Sequence, residues 1–549
     1  MGQEIYNEFT DSQMQILERF VTNLSGNIFA LRNLPEVVKG ALFSRYSRSR
    51  LGLRSLLLKE FISNEDVAFD KIVGSRGSNE EEDTQLQLLA IKKAQNFYDR
   101  ILDGYGDDSI GELGGAHLAV ENVSMIASKA IEDSRIGGSP LEKSTRYIYF
   151  DQKSQGEYMF YREPILMTSA YRQIYVDTCN MLFETYSKLI PPLTVVMEEK
   201  VPKTEGMSKA AYAAALRAKV LDCLRGLLPA STLTNLGLYG NGRFFEGLLQ
   251  RLQGHNLAEL REVGEQSFGE LNKIIPSFVR RADPSHRYCK EANAFKEEQE
   301  NALKAVSASL AERSANHKEY GVRLVSFDPD NVNKVAAALL FSQSDRGLAE
   351  LQKYCQTLPR EEIAKILDAA CFARENRRHK SPRGLEHAQF TFEIVADYGI
   401  YRDLQRHRLL TQDRQLLTCN YGYYCPPDLE GTEMIQEYHQ AMARAKEVYD
   451  TIVDELPEEA QYVVPMAYHI RWYFHVNLRS LQWLCELRSS AAGHPGYRFI
   501  AQEMAKAVFD NFPELECFFK FVDFEGYELG RLQQEERCLR KKVERSNET

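Results

Sequence analysis

The chain has few of the features that mark membrane or secreted proteins. Its 549 residues include no apolar run close to the roughly 20 residues that a membrane-spanning helix needs. The N-terminal segment MGQEIYNEFTDSQ is polar and acidic, which is not typical of a secretory signal peptide. We therefore expect a cytoplasmic protein without membrane contacts.

The cysteines do not form a recognisable metal-binding pattern. Ten cysteines are scattered along the chain, and none forms a CxxC pair. The closest two are Cys419 and Cys425, and no histidine pair at zinc-finger spacing lies near them. The sequence therefore predicts free thiols in a reducing compartment and no metal.

An excess of basic residues is also missing. The net charge of −10 and a pI near 5.7 argue against binding to the phosphate backbone of nucleic acids, although local basic pockets for small anions stay compatible with them. Hydrophobic residues make up 44% and charged residues 27%, as in soluble globular proteins. The chain is too long for one ordinary core, so two large domains are predicted.

Local patterns divide the chain into two large segments. An apolar stripe predicts a helix over residues 11–35, and residues 77–84 predict a charged turn. Residues 285–318 read as a polar helical bridge, after which the strand VRLVSFDP and a helix from about Asn331 begin a new domain. The predicted division is an N-terminal helical extension over 1–34, a first domain over 35–284, a helical linker over 285–319, a second domain over 320–528 and a charged, helical tail over 529–549.

A faint internal repeat relates the two segments. Arg406 matches Ser134 at an offset of 272 (406 − 134), and Asn477 matches Asn241 at an offset of 236 (477 − 241). Each offset holds over several polar residues, which favours a duplication over chance. The drop from the first offset to the second places surplus chain in the first half, around 148–221.

Hydrophobic patterns place the polar clusters on elements. Residues 388–395 alternate apolar and polar side chains, which predicts a half-buried antiparallel strand. A helical stretch leads to the basic cluster at 406–408, residues 411–422 read as a loop, and a late helix runs from Asn477 to Arg488. The buried side of that late helix is expected to include or lie near Trp472, Val476, Leu484 and Leu487.

The first half carries a short polar segment that suits an anion. Glu142, Ser144 and Arg146 alternate across a turn-like stretch. The glycines at Gly137–Gly138 would let the backbone approach a ligand closely. Ser144 and Arg146 can hold a phosphate together, and Arg225 can add a second guanidinium. The alternative is an ordinary surface ion pair with a serine beside it.

The second half carries a basic cluster and several dispersed donors. Consecutive positive charge at Arg406, His407 and Arg408 is by itself compatible with a solvated helix surface. Arginine also suits a planar, phosphate-bearing ligand, because its fork binds phosphate oxygens and its plane stacks on rings. The donors that could converge with this cluster are His379, Ser381, Asn477, Arg479 and Arg488.

Joined at the repeat offset, two segments form one motif. Ser139-Pro-Leu-Glu-Lys-Ser-Thr-Arg-Tyr147 and Arg406-His-Arg408 would together read RHR-x-x-S-x-x-E-x-S-x-R-Y. This string resembles the signature of the flavin-dependent thymidylate synthases, and the resemblance extends over about 35–280 and 320–525. In that family the site lies between subunits, so a duplicated chain can divide one site between its halves.

The resemblance implies a role for each matching residue. The deoxyuridylate site would contain Ser139, Glu142, Ser144, Arg146, Arg225 and Arg406. The flavin would be held by His379, Ser381, Arg406, His407, Arg408, Asn477 and Arg479. Arg488 would assist ionisation of the uracil ring and is the predicted catalytic residue. Trp483 lies where the family often has a residue in contact with the flavin.

Each half departs from the family pattern where the other half keeps it. The first half has Ser134, Asp107 and Leu252 in place of the first Arg of RHR, the early His and the late Arg. In the second half, Arg414, Leu416 and Thr418 replace the Glu, Ser and Arg of the motif. Gln461 replaces the arginine that would match Arg225. Only a first half paired with a second half would give a complete site.

The implied reaction is reductive methylation of dUMP to dTMP, with FAD, NADPH and methylenetetrahydrofolate. We expect an α+β fold of two homologous domains, each a small antiparallel sheet packed with long helices, and a homodimer that mimics a family tetramer. The alternative is a non-catalytic relative that keeps a nucleotide or flavin pocket for sensing or assembly. An RNA-binding role fits the acidic balance poorly.

Overall fold

The computed structural model of the protein describes residues 9–47, 49–62, 111–310 and 319–548. The predicted charged turn at 77–84, Asp107 of the repeat and residues 311–318 of the predicted bridge lie outside these ranges. In the described part of the chain, no helix is both long and apolar enough to cross a membrane.

Helices make up most of the regular structure. In chain order they are α1 (Asp11–Phe20), α2 (Glu36–Tyr46), α3 (Leu53–Leu56), α4 (Met125–Glu132), α5 (Pro164–Thr168), α6 (Arg172–Lys200), α7 (Lys209–Leu224), α8 (Gly242–Gln253), α9 (Ala258–Ile274), α10 (Pro276–Val279), α11 (Arg287–Leu310), α12 (Asn331–Phe341), α13 (Leu348–Thr357), α14 (Arg360–Cys371), α15 (Tyr398–Leu404), α16 (Met434–Val453), α17 (Leu478–Arg488), α18 (Pro495–Asn511) and α19 (Leu532–Glu548). The strands are β1 (Gly115–Ser124), β2 (Gly138–Glu142), β3 (Lys153–Ser154), β4 (Glu157–Tyr158), β5 (Leu233–Asn241), β6 (Gly321–Phe327), β7 (Gln389–Asp397), β8 (Thr411–Arg414) and β9 (His469–Asn477).

The chain forms two compact units. The first takes its described residues from Met1–Glu121, Ala130–Glu142 and Asn235–Ser314. The second takes them from Asn122–Lys129, Lys143–Thr234 and Ala315–Thr549. The second unit therefore combines residues from both predicted domains, and the domain boundaries stay a prediction.

Small antiparallel sheets lie among these helices. One sheet has the order β1-β5-β2, with β2 antiparallel to β5. A second sheet has the order β6-β7-β9-β8 and is antiparallel throughout, and β3 and β4 form a two-stranded sheet. Phe392 of β7 is the register partner of Phe474 of β9, and both side chains are buried, as the period-two pattern predicts. The predicted α+β fold class is confirmed.

Corresponding elements recur in the same order in both halves. Strands β5 and β9 match at both ends at the second repeat offset, and β1, α4 and β2 return as β7, α15 and β8 close to the first. The sheet order β1-β5-β2 of the first half matches β7-β9-β8 of the second. Asn241 and Asn477 cap the helices that follow, accepting the N–H of Phe244 (2.8 Å) and Ser480 (2.9 Å). The prediction of two homologous domains is confirmed.

The surplus chain of the first half is largely helical. Between β2 and β5 the first half contains the hairpin β3–β4 and helices α5, α6 and α7. Between β8 and β9, a stretch described throughout, the second half has α16 as its long helix. The predicted surplus around 148–221 thus coincides with the hairpin and with the second long helix that the first half has in this interval.

Within the second unit, residues 226–231 pair with residues 462–467, which are their equivalents at the second repeat offset. The hydrogen bonds, N–H first, join Ala230 to Val464 (2.8 Å), Met466 to Leu228 (2.9 Å), Ser231 to Tyr462 (3.1 Å) and Ala467 to Gly226 (2.9 Å). Each bond has a reciprocal partner, which is how a two-fold interface between identical subunits is built. Here the reciprocal contact lies inside one chain.

Two helix predictions differ from the structure. Helix α1 ends at Phe20, far short of residue 35, because the side-chain oxygen of Asn23 accepts the N–H groups of Ser25 (3.0 Å) and Gly26 (2.8 Å) and closes a turn there. Trp472 and Val476 belong to β9, whereas the late helix begins only at Leu478.

Two predicted loops are partly strand. Residues 411–422 begin with β8, which pairs with β9. The supposed turn before Glu142 is β2. A Cβ on Gly138 would lie 2.3 Å from the ring of Phe244, and Gly137 has a φ of +90°. Gly138 is therefore required by the packing of the Phe244 ring and Gly137 by a left-handed backbone, and the close approach of a ligand to these glycines stays a prediction.

Candidate functional site

Arg146 is buried in the second unit and tightly paired. It follows β2 in the loop that carries Ser144, whose hydroxyl accepts the backbone N–H of Arg146 (3.3 Å). Its guanidinium makes a bidentate contact with the two carboxylate oxygens of Asp222 on α7, both at 2.7 Å. Burial opposes the charge on Arg146, but the Asp222 carboxylate outweighs it and raises the pKa of the guanidinium. Arg146 therefore stays a buried cation.

Arg225 holds a second buried ion pair. Its Nη1 donates to the carboxylate of Asp403 on α15 at 3.0 Å. Its Nη2 is buried and has no hydrogen-bond partner among the described residues. An unpaired buried donor is costly, so this nitrogen is an available contact for an anion.

Asp403 is surrounded by arginines from both halves of the chain. Burial would raise the pKa of its carboxyl, but four guanidinium groups lower it well below its usual range. These groups belong to Arg225, Arg146, Arg406 and Arg488. The carboxylate of Asp403 is thus the point where the predicted phosphate-binding and catalytic arginines converge.

Arg488 and His407 are directly bonded. The Nε of Arg488, at the end of α17, donates to Nε2 of His407 at 2.9 Å. Burial, followed by the charge of Arg488, lowers the pKa of His407 well below its usual value. His407 is therefore neutral and accepts through Nε2, with its proton on Nδ1.

The ring of Tyr497 lies close to both Arg146 and Arg488. The guanidinium carbons of Arg146 and Arg488 are each 5.5 Å from the ring centroid. The Nη1 of Arg146 also donates to the Tyr497 hydroxyl at 3.0 Å. One aromatic side chain of α18 thereby positions a first-half arginine and a second-half arginine together.

Two further buried groups border this cluster, and burial favours the neutral form of each. Burial, then Arg225, lowers the pKa of His494 to about 3. Burial raises the pKa of Asp397 to about 7, and its buried Oδ2 has no hydrogen-bond partner among the described residues. Of the three carboxyl groups, Asp222 and Asp403 are therefore fully ionised at neutral pH, whereas Asp397 is only partly ionised there.

A second group of predicted residues lies near the start of α17. The Nε of Arg479 donates to the Ser381 carbonyl (2.9 Å) and its Nη1 to Glu386 (2.7 Å). The Ser381 hydroxyl is buried without a hydrogen-bond partner among the described residues. Asn477 uses its oxygen as the cap of α17, which leaves its NH2 group as a donor. An orphaned hydroxyl beside a fixed guanidinium fits a polar cofactor such as a flavin nucleotide.

The remaining predicted flavin residues are more exposed. His379 and Arg408 lie at the surface, and the carbonyl of His379 accepts from Arg374 (3.0 Å). Trp483 is 42% exposed, with Arg377 over its ring at 5.7 Å. A groove of about 1280 Å³ runs beside Pro382 and Glu386, between α12 and α14. The arginine cluster does not line that groove.

The structure brings together part of the predicted site. Arg146, Ser144, Arg225, Arg406, His407 and Arg488 lie in one region of the second unit. Ser381, Asn477 and Arg479 form the neighbouring group. Ser139 and Glu142 belong to the first unit, where Ser139 is exposed and Glu142 is buried on β2.

The reciprocal positions carry a different arrangement. Gln461, the equivalent of Arg225, accepts the N–H of Leu417 (3.1 Å) and a weak contact from Arg414 (3.5 Å). Leu416 and Thr418 stand at the equivalents of Ser144 and Arg146. The two arginines of the first half have no counterparts there.

Sequence reasoning missed the partners of these arginines. Asp222, Asp403 and Tyr497 were not singled out, although each contacts a predicted residue. A signal was present, because Asp222 and Asp403 each precede a predicted arginine by three residues, one helical turn. Nothing in the sequence marked Tyr497.

Comparison with known proteins gives the family. The model of the thymidylate synthase complementing protein family matches residues 64–277 and 323–514. The chain is 56% identical to a UPF0159 protein of Chlamydia pneumoniae over 98% of this chain and 99% of that protein, and 33% identical to a UPF0159 protein of Thermoplasma acidophilum over 91% and 98%. A protein of Clostridium tetani named flavin-dependent thymidylate synthase is 26% identical over 34% of this chain and 81% of that protein. The chain therefore belongs to the thymidylate synthase complementing protein family, that of the flavin-dependent thymidylate synthases.

Proposed function

We propose that the protein is a flavin-dependent thymidylate synthase that converts dUMP to dTMP with FAD, NADPH and methylenetetrahydrofolate. The observation that carries the proposal is the Tyr497 ring, which has Arg146 of the first half and Arg488 of the second half at equal distances of 5.5 Å. One working site per chain would then draw on both halves. The proposed assembly is a cytoplasmic dimer of chains.

The arginine cluster has the charge that a nucleotide phosphate requires. Arg225, Arg146, Arg406 and Arg488 lower the pKa of Asp403, and Arg146 and Arg225 also act on Asp222. The excess positive charge suits a phosphomonoester dianion, which arginine binds through paired N–H groups. In this proposal Arg146 and Arg225 hold the phosphate, assisted by Ser144. Ser139 and Glu142 are proposed as further nucleotide contacts.

Arg488 is proposed as the catalytic residue. Burial lowers the pKa of its guanidinium, yet the group stays charged because arginine titrates far above neutral pH. A cation in a buried site stabilises negative charge on a pyrimidine ring more strongly than one in water. The neutral His407 accepts from its Nε and fixes its orientation without adding charge.

Seven residues are proposed to hold the flavin: His379, Ser381, Arg406, His407, Arg408, Asn477 and Arg479. The orphaned Ser381 hydroxyl and the NH2 group of Asn477 supply hydrogen bonds, and Arg406 and Arg408 supply positive charge. When bound, the flavin carries the redox chemistry of the reaction. Glu386 fixes Arg479 in place for this contact.

The test is thymidylate formation. The full chain is expected to rescue a thymidine-requiring bacterium, and the purified protein to form dTMP. Arg146→Ala and Arg488→Ala should each abolish both activities, since the first removes a proposed phosphate ligand and the second the proposed catalytic cation. Arg135→Ala, at the half-buried middle position of the lost RHR motif of the first half, should leave both largely intact. Rescue that depends on Arg135 and not on Arg406 would contradict the proposal.

A non-catalytic nucleotide or flavin binder is the second candidate. It is favoured by the pairing of Arg146 with Asp222 and of Arg225 with Asp403, because a phosphate must compete with carboxylates already in place. A chain that binds FAD and dUMP but forms no dTMP with all co-substrates present would support this candidate. Turnover would exclude it.

A further inference from the structure

We propose that Asp368, Cys371 and Cys517 form a binding site for a thiophilic divalent cation, with Zn²⁺ as the ion that fits it best. The site lies in the second unit, apart from the arginine cluster. No spacing in the sequence indicates it, because Cys517 is far from the other two residues along the chain.

The geometry is close to that of a bound ion. Asp368 and Cys371 lie three residues apart on α14, so their side chains share one face of the helix. Cys517 approaches from the 3₁₀ turn Pro513–Phe518. The three ligand-type atoms all lie within 4.8 Å of one another. In a tetrahedral zinc site, with Zn–S near 2.3 Å, ligand atoms are about 3.5–3.8 Å apart, so shifts of about 1 Å close the site.

The donor set selects the class of ion. Two thiolates favour zinc over Mg²⁺ or Ca²⁺, which prefer oxygen ligands alone. On binding, the two thiols lose their protons to solvent and bond the metal through sulfur. Three protein ligands leave a fourth position for water. The negative charge of the three ligands is opposed by the ion and by Lys520, whose Nζ donates to the carbonyls of Cys371 (2.7 Å) and Phe372 (3.1 Å).

The two thiols are shielded from solvent to different degrees. Cys371 is buried and Cys517 is half-buried, while Asp368 is exposed. An ion can therefore enter from the Asp368 side and meet two thiols that are already held in place. The Cys517 thiol donates to the Glu514 carbonyl at 3.4 Å, and this bond is given up when the thiol loses its proton on binding the metal.

The site lies next to the segments that support α17. Arg374 lies three residues after Cys371, beyond the end of α14, and its guanidinium holds Glu486 of α17 at 2.5 and 2.6 Å. The same guanidinium donates to the carbonyl of Phe518, the residue after Cys517 (3.2 Å). A bound ion would therefore tie together the two segments that fix α17, the helix that ends at Arg488.

The experiment is a zinc titration of the full chain after removal of metal with a chelator, in competition with a chromophoric zinc indicator. We expect one ion per chain, and binding weaker by more than about tenfold in Cys517→Ser and in Asp368→Asn. Co²⁺ in place of zinc should give a thiolate-to-cobalt charge-transfer absorption that Cys517→Ser weakens. Cys538→Ser, an exposed cysteine of α19, is the matched control and should bind as the parent does.

Folding of the variants is checked separately. Zinc should raise the melting temperature of the parent and of Cys538→Ser but not of Cys517→Ser. The Cys517→Ser variant is used because it leaves the buried side chain of Cys371 unchanged. Zinc binding that survives both Cys517→Ser and Asp368→Asn would overturn the assignment. So would a reduced parent that takes up no zinc, or a chain in which Cys371 and Cys517 are oxidised to a disulfide that no reductant opens.

Discussion

At the scale of single residues, the central feature is a carboxylate placed among cations. Asp403 accepts from Arg225 and lies in the field of three more arginines. A buried ion pair gains its stability only when both partners are present, because a single charge left in a buried site is strongly unfavourable. Asp403 is therefore both a stabilising residue and a competitor for any phosphate that the cluster binds.

Asp403→Asn should separate these two effects. We expect the free energy of unfolding to fall by about 3–5 kcal/mol, since Arg225 loses its charged partner. In the same variant the affinity for dUMP should rise, because the arginines are no longer neutralised. Urea denaturation and a dUMP titration measure the two quantities.

The control is Asp450→Asn on α16, where the carboxylate meets Lys446 at the surface at 2.6 Å. A surface pair of this kind contributes at most about 1 kcal/mol. If Asp403→Asn changes neither stability nor dUMP affinity more than this control does, the arginines around Asp403 contribute no measurable interaction energy to it.

Asp397 predicts a pH dependence. Burial raises the pKa of its carboxyl to about 7, against the opposing charge of Arg225. Between its ordinary pKa near 4 and this value the folded state keeps a proton that the unfolded state has lost. Its contribution to stability is therefore complete below about pH 4 and is lost as the pH rises through about 7.

Asp397→Asn removes this titration and keeps the cap, in which the side-chain Oδ1 accepts the N–H of Ile400 at 2.9 Å. The variant should gain stability relative to the parent as the pH rises from about 4 to about 7. Urea denaturation across that range measures the difference, in which other titrating groups cancel. Parallel stability curves would show that Asp397 titrates normally.

Some residues of the site could be predicted from local sequence and others could not. Arg146, Arg225 and Arg488 were found because they match a spaced motif. Asp222 and Asp403 were not, because an acid one turn before an arginine is common on any helix surface. Tyr497 makes its contact with Arg146 across 351 positions of sequence, and no local rule encodes such a contact.

At the scale of elements, the repeated asparagine cap is the most informative feature. Asn241 and Asn477 begin equivalent helices with the same hydrogen bond. Helix capping alone therefore explains why both halves have asparagine at this position, without any bound ligand. A role of Asn477 in flavin binding must add to capping.

The matched pair Asn241→Ala and Asn477→Ala tests that addition. Each should lower the free energy of unfolding by about 0.5–2 kcal/mol through loss of the cap. Only Asn477→Ala should also weaken FAD binding, measured by flavin fluorescence on titration of the apoprotein. Equal FAD affinity in both variants would leave Asn477 as a cap alone.

Elements were predicted well where periodicity was long and poorly at short edges. The alternation of Phe390, Phe392 and Ile394 predicted β7, and the repeat offsets matched whole elements. Strand β8 is only four residues long and polar, so its pairing with β9 left no pattern to read. The start of α17 was predicted at its cap, Asn477, but Trp472 and Val476 were assigned to the helix, because the apolar residues at the end of β9 run directly into those of the helix.

At the scale of the whole molecule, one chain contains a contact that resembles a dimer interface. The reciprocal hydrogen bonds between 226–231 and 462–467 join equivalent segments of the two halves within the second unit. Arg146, Arg225, Arg406 and Arg488 gather in that same unit. The equivalents of Arg146 and Arg225 in the second half are Thr418 and Gln461, which carry no charge. We therefore expect one composite site within each chain.

The most direct test mixes two inactive variants. Arg146→Ala and Arg488→Ala chains are purified separately, then unfolded and refolded together so that any assembly contains both, and thymidylate formation and dUMP binding are measured. If each site is built within one chain, every site in the mixture carries one defect, and the mixture stays as inactive as either variant. Recovery of a substantial fraction of the parent activity would mean that the two arginines act from different chains, and would contradict the account.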